Sequence, residues 1–213
     1  MNYLFTMLRS LRPHVMHGGP SAGAPAHGTV PSRTFPGSTG NSREGERSGI
    51  ARDSDPPRVP YSQTLQPQHV ELDVDVSDVK RALERAAEVI CRAHGLDPAP
   101  VFRALWRREQ IGSTAIGHGV ALPHARISGI AKPLMLFMRP KYAMEFDAPD
   151  GRLVTRIWVI LVPADGSADD HLKLLASVAE ACSDEGLRAH LDSAATADDV
   201  VRALRDWTKQ CVA

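Results

Sequence analysis

The chain has 213 residues, 25 of them basic and 25 acidic, so its formal net charge is zero. That balance argues against a general nucleic-acid binder, which carries a basic surplus. Cys91, Cys182 and Cys211 form neither a CxxC pair nor an even disulfide framework, which points to a reducing compartment and to thiols serving as small apolar residues.

From His17 to Pro60 the chain is dominated by Gly, Pro, Ser and charged residues, with almost no apolar periodicity. Such a segment cannot bury enough surface to offset its ordering entropy, so residues 1–66 are expected to form a disordered extension. Its Gly37-Ser38-Thr39-Gly40 run is no P-loop, since no Gly-Lys-Ser/Thr follows. The apolar opening Tyr3-Leu4-Phe5 is interrupted by Arg9, Arg12, Pro13 and His14 too early for a signal peptide. No stretch reaches the roughly 20 apolar residues of a membrane span. The expected location is the cytoplasm, without membrane insertion.

Residues 67–213 are the size of one domain. Ser77 can cap a helix with Val79, Leu83, Ala86 and Ile90 on one face, ending at Gly95. Asp97-Pro98 opens a second helix that turns Val101, Phe102 and Leu105 inward and finishes around Arg107-Arg108-Glu109. After a glycine-rich loop, Gly119 to Leu122 is a short strand candidate leading into His124. Leu134 to Met138 reads as a buried strand. Lys141 to Phe146 and Arg152 to Val162 read as hairpin partners across Asp147-Ala148-Pro149-Asp150-Gly151. Asp169-Asp170 opens a helix with Leu172, Leu175, Ala179 and Cys182 on its inner face, and a short helix covers Asp184 to Leu191. Thr196-Ala197-Asp198-Asp199 resembles a capping box starting a last helix with Val200, Val201, Leu204 and Trp207. This order predicts an α/β domain with a mixed β-sheet flanked by helices.

Three groups have the chemistry to converge. His124 follows a strand and a proline, His171 sits in a helix's first turn, and Arg108 ends a helix just before the loop. An imidazole near its free pKa of about 6.5 is largely neutral at cellular pH and therefore nucleophilic. A helix N-terminus suits an anion at His171, and Arg108 can give charge-assisted contacts to phosphate oxygens. The backbone N–H groups of Gly117 to Gly119 are further donors, because glycine permits close approach. Each residue taken alone also has an ordinary structural role, and His118, His124 and His171 could instead be three zinc ligands.

The run Arg108-Glu109-x-x-Gly112-Ser113-Thr114-x-Ile116-Gly117-x-Gly119-Val120-Ala121-Leu122-Pro123-His124 resembles the active-site signature of the fructose/mannitol-type (type 2) enzyme IIA domains of the bacterial phosphotransferase system. Phe146-Asp147-Ala148-x-Asp150-Gly151, Leu161-Val162-Pro163-Ala164 and His171-Leu172 follow in the family's order. The resemblance spans residues 67 to 207 and is nearest to the nitrogen-type, regulatory members. It implies that His124 takes up the phosphoryl group at Nε2, with His171 beside it and Arg108 as the cation. Ser113, Thr114, Gly117, His118, Gly119 and Arg126 are then candidates for phosphate contacts. The family's usual glycine after the histidine is Ala125 here, a frequent loop asparagine is His118, and Arg126 stands where lysine is common. The implied donor is an HPr-like phosphocarrier protein. The implied targets are regulatory proteins or, in a sugar-transport reading, a IIB domain. A module that binds proteins without being phosphorylated is the third reading. No metal or other cofactor is implied.

Overall fold

The computed structural model describes residues 65–210. The expectation for the preceding extension therefore lies outside the described residues, apart from its last two. Leu65 is buried in the core, two residues ahead of the expected boundary.

A 3₁₀ turn (Pro67–His69) leads into β1 (Val70–Val74), α1 (Val79–His94), α2 (Pro98–Ile111), β2 (Ala115–Gly117), β3 (Val120–Ala121), β4 (His124–Ile127), β5 (Leu134–Pro140), β6 (Arg156–Pro163), α3 (Ala168–Ser183), α4 (Glu185–Ser193) and α5 (Ala197–Gln210). The expected mixed sheet flanked by helices is present, as a single domain. Its strands run in the order β1-β5-β6-β3-β2, with β4 also paired to β6. The β5/β6 and β2/β3 ladders are antiparallel, and β1 with β5, β3 with β6 and β4 with β6 are parallel.

Strand β6 is the axis of the molecule. Its continuous apolar run is what a strand covered on both faces requires. Trp158, Ile160 and Val162 point into a cluster built with α3, α4 and α5. Ile157, Val159 and Leu161 point into the opposite cluster, built with α1 and α2. One edge of β6 carries β5. The other carries β3 and then β4 end to end: Val120 and Ala121 pair with Arg156 and Ile157, and His124 to Ile127 with Ile160 to Pro163. Leu122-Pro123 joins the two short strands, and the Pro123 carbonyl keeps the ladder by accepting the Ile160 N–H at 2.9 Å.

The expected helices form with local differences. The N-cap of α1 is Asp78, whose carboxylate accepts the Arg81 N–H, while Ser77 donates its hydroxyl to that carboxylate. Gly95 closes α1 in the left-handed region, at φ 65°. Asp97 caps α2, which runs two residues past the expected end to Ile111. Leu172 is 45% exposed rather than inward-facing, because α3 meets the core only from Leu174 onward. Thr196 and Asp199 form the reciprocal bonds of a capping box at the start of α5.

Two strand expectations are corrected. Lys141 to Phe146 forms no strand, and a single bridge between Met144 and Val154 is all that pairs across the turn. Both edges of β6 are already occupied by β5 and by β3 with β4, so β5 is the true hairpin partner. Val70 to Val74, whose alternation of Val, Leu and Val with Glu and Asp is a strand pattern, forms the edge strand β1, inside the expected domain but not among the expected elements.

Candidate functional site

His124 opens β4 at the C-terminal half of β6, opposite Ile160. It is 8% exposed, with its ring held at both nitrogens. Nδ1 lies 2.8 Å from the Leu122 carbonyl, an acceptor only, so Nδ1 carries the proton and donates it there. Nε2 is therefore the lone-pair nitrogen, and it accepts from Arg108 Nε at 3.1 Å. Burial pushes the His124 pKa from 6.5 down to about 4, with the Leu122 carbonyl opposing this and the charges of Arg108 and His171 adding to it. The ring is thus neutral at cellular pH, with its nucleophilic nitrogen defined.

Arg108 lies in the last turn of α2. Besides its contact with His124 it donates through Nη1 to the Gly112 carbonyl at 2.8 Å. Among the described residues no carboxylate lies within ion-pair distance of it. A guanidinium anchored at one end and unpaired with an anion is suited to receive phosphate oxygens.

His171 packs edge-on against His124, with ring centroids 5.4 Å apart and planes at 72°. It belongs to the start of α3, where its N–H reaches the Ser167 carbonyl at 3.3 Å. Its Nε2 is buried and has no partner among the described residues. Burial, then the charges of Arg126 and Arg108, lower its pKa. The first turn of α3 also carries Asp169 and Asp170, which offset the positive end of the helix dipole. The helix end alone is therefore a weaker anion site than the sequence implied, and the arginines supply the positive potential.

The phosphate-contact candidates divide by position. Arg126 follows in β4, and its Nη1 donates to the carbonyls of Gly166 at 2.8 Å and Ala164 at 3.3 Å, the loop that leads into α3. Thr114 is buried and donates both its N–H and its hydroxyl to Glu109. Ser113 donates to the Phe146 carbonyl. Gly117, His118 and Gly119 are not brought to His124. They form the β2–β3 turn, all three at positive φ, at the N-terminal end of β6. Val120 pairs with Arg156 and His124 with Ile160, a separation of about 13 Å along a strand. The turn's backbone is committed elsewhere: the His118 N–H donates to Asp150 at 2.8 Å, and the Gly119 carbonyl accepts from Thr155 and Arg156. A Cβ on Gly117 would stand 3.1 Å from the Asp150 carboxylate, so glycine serves close packing there. With His118 at the other end of the sheet, the three-histidine zinc set does not assemble, and no group of three metal-ligating side chains occurs among the described residues.

Two features escaped the sequence reading. The Leu122 carbonyl is a backbone group with no side-chain signal, and Pro123, whose φ is fixed between it and His124, is the one local cue to it. The exposed apolar residues Ile111 (79% exposed) and Leu172 follow Arg108 by one turn and His171 by one residue, so apolar surface flanks both partners of His124.

Comparisons with known proteins place the chain in a family. The family model for the phosphoenolpyruvate-dependent sugar phosphotransferase system, EIIA 2, matches residues 63–207. A nitrogen regulatory protein of Pseudomonas aeruginosa is 34% identical over 149 residues, covering 70% of this chain and 96% of that protein. The crystal structure of the nitrogen regulatory protein IIA-Ntr from Neisseria meningitidis superposes with a TM-score of 0.63 at 35% identity, over 68% of this chain and 98% of that one. The mannitol IIA of Escherichia coli shares the fold, with a TM-score of 0.56 at 20% identity over 66% and 98% of the two chains. Among the described residues no helix is long and apolar enough to cross a membrane. Through residues 63–207, this chain belongs to the EIIA type 2 family of the phosphotransferase system.

Proposed function

We propose that this protein is a phosphoryl carrier of the nitrogen-regulatory kind, with His124 Nε2 as the acceptor atom. The observation that carries the reading is the single defined tautomer of a neutral, buried imidazole: Nδ1–H is fixed on the Leu122 carbonyl and the Nε2 lone pair faces Arg108.

In the reaction, Nε2 attacks the phosphorus of a phosphohistidine on an HPr-like carrier protein. The new N–P bond forms as the old one breaks, and the departing imidazole of the donor keeps the electron pair. Little covalent chemistry is asked of the protein beyond placement and stabilisation of the equatorial oxygens. Arg108 must give up the Nε2 lone pair and turn its guanidinium onto those oxygens, with its Gly112 bond as the pivot. The buried Nε2 of His171 has no partner in the resting site and is available to the phosphoryl group once it arrives. Arg126 adds positive charge to the same side of the site while holding the loop before α3.

The output follows from charge. Phosphorylation adds up to about two negative charges at a site rimmed by Ile111 and Leu172, enough to change which proteins this surface accepts. The relatives named nitrogen regulatory protein support the regulatory reading. The family's description as a sugar phosphotransferase component supports the alternative, transfer to a IIB domain during sugar uptake. His124→Ala abolishes labelling by a phosphorylated HPr-like donor, and full labelling of that variant rules the assignment out. Arg108→Ala slows labelling on the order of 100-fold, the usual effect of removing a group that stabilises developing charge. His171→Ala slows transfer without abolishing it. An unchanged rate in either of these two variants removes that residue from the mechanism.

A further inference from the structure

Arg108 and Glu109 are consecutive residues in the last turn of α2, and each leads to a different nitrogen of His124. Arg108 touches Nε2 directly at 3.1 Å. Glu109 turns to the loop that follows the helix. One carboxylate oxygen accepts the Thr114 N–H at 3.0 Å and the other the Thr114 hydroxyl at 2.5 Å. The Thr114 carbonyl in turn accepts the Leu122 N–H at 3.0 Å. The Leu122 carbonyl accepts Nδ1–H of His124 at 2.8 Å. The chain of bonds from carboxylate to imidazole is unbroken.

We propose that Glu109 is a positioning residue for phosphoryl transfer, fixing through Thr114 and Leu122 the tautomer and orientation of the His124 ring. This rests on the reading of His124 as the acceptor. Thr114 is almost wholly buried, so its N–H and hydroxyl need a protein acceptor. A carboxylate accepts both at once and offers no competing donor, which a glutamine amide cannot do. Holding a carboxylate there is costly: burial raises the Glu109 pKa, and the bonds from Thr114 and the charge of Arg108 oppose the rise. A residue needed only to fill space would not require the charge. The last turn of α2 then acts as one jig, with Arg108 at the reacting nitrogen and Glu109 behind the opposite one.

The test uses the full chain with Glu109→Gln and, separately, Thr114→Val, which removes the hydroxyl and keeps the shape. Phosphoryl transfer from a phosphorylated HPr-like donor is followed as a function of donor concentration. The expected result is kcat lowered about tenfold or more with KM for the donor unchanged. In parallel, ¹⁵N NMR of the imidazole reports the tautomer and titration of His124 without any phosphorylation. In both variants the pure Nδ1–H signature gives way to a tautomer mixture, and the titration midpoint falls, because the Leu122 carbonyl that favours the protonated ring is loosened while burial still disfavours it. Folded variants with wild-type kcat and a wild-type His124 spectrum overturn the proposal. If Glu109→Gln fails to fold, Thr114→Val decides by the same criteria. A wild-type chain that takes no phosphate overturns the reading of His124, and the spectra still decide whether Glu109 positions the ring.

Discussion

His124 shows how much one backbone carbonyl can determine. Burial alone would make its imidazole neutral but would not decide which nitrogen holds the proton. Leu122 decides it, by presenting an acceptor at 2.8 Å to Nδ1. The resulting expectation is an imidazole that resists protonation down to pH 4–5 and stays Nδ1–H throughout, observable by ¹⁵N NMR. A midpoint near 6.5 or an Nε2–H signature contradicts it. Stability follows with a definite sign. The folded state binds this proton only near pH 4 and the unfolded chain binds it near pH 6.5, so between those values the unfolded state holds more protons and stability falls as pH falls. The component is on the order of 3 kcal/mol, at about 1.4 kcal/mol per pH unit. Urea titrations at pH 7 and pH 4.5 should show His124→Gln losing less stability across this window than the wild type. Equal losses contradict the assignment. The meeting of these residues was legible from the sequence: Arg108 and His171 both lie against His124, as the family resemblance implied. The turn of Gly117, His118 and Gly119 was misplaced because a glycine that serves close packing and one that serves anion binding look alike in a sequence. Only the register of β3 on β6 separates them.

At the scale of the element, helix ends carry the most readable information. Asp97 before Pro98, Gly95 after His94 and the Thr196–Asp199 box all act at the positions their chemistry demands. Gly95 has open space around its missing Cβ, so a side chain there meets no obstacle but must adopt the left-handed region. Gly95→Ala should therefore cost about 1–2 kcal/mol from backbone conformation alone, measured by chemical denaturation with activity retained. A loss under a few tenths of a kcal/mol would place the strain elsewhere. Strand edges were less legible. Pairing is a property of neighbours, and nothing local to Lys141–Phe146 says that β6 has no free edge left for it. Likewise β4 is only four residues long and follows a proline, too short for a periodic pattern to declare itself.

In the whole molecule the candidate site lies where the edge partner of β6 changes from β3 to β4. Helices α1 and α2 cover one face of the sheet and α3, α4 and α5 the other, and the site forms where the end of α2, the start of α3 and β4 meet along β6. The core under it is continuous with the site through β6: Trp158 is fully buried beside Phe137, with ring centroids 4.8 Å apart. Its indole N–H has no partner among the described residues. Trp158→Phe therefore gives up volume but no hydrogen bond and should cost well under the 3–5 kcal/mol expected of Trp158→Ala, as denaturant midpoints would show. Equal losses would mean that the indole N–H is bonded in solution. Under the proposed function, the fold presents one neutral imidazole nitrogen to a phosphoryl donor. Incubation of the full chain with enzyme I, an HPr-like carrier and phosphoenolpyruvate, followed by mapping of the acid-labile phosphate, tests it most directly. The prediction is stoichiometric phosphate on Nε2 of His124 and none on His124→Ala; phosphate on another residue, or none on the wild type, contradicts it.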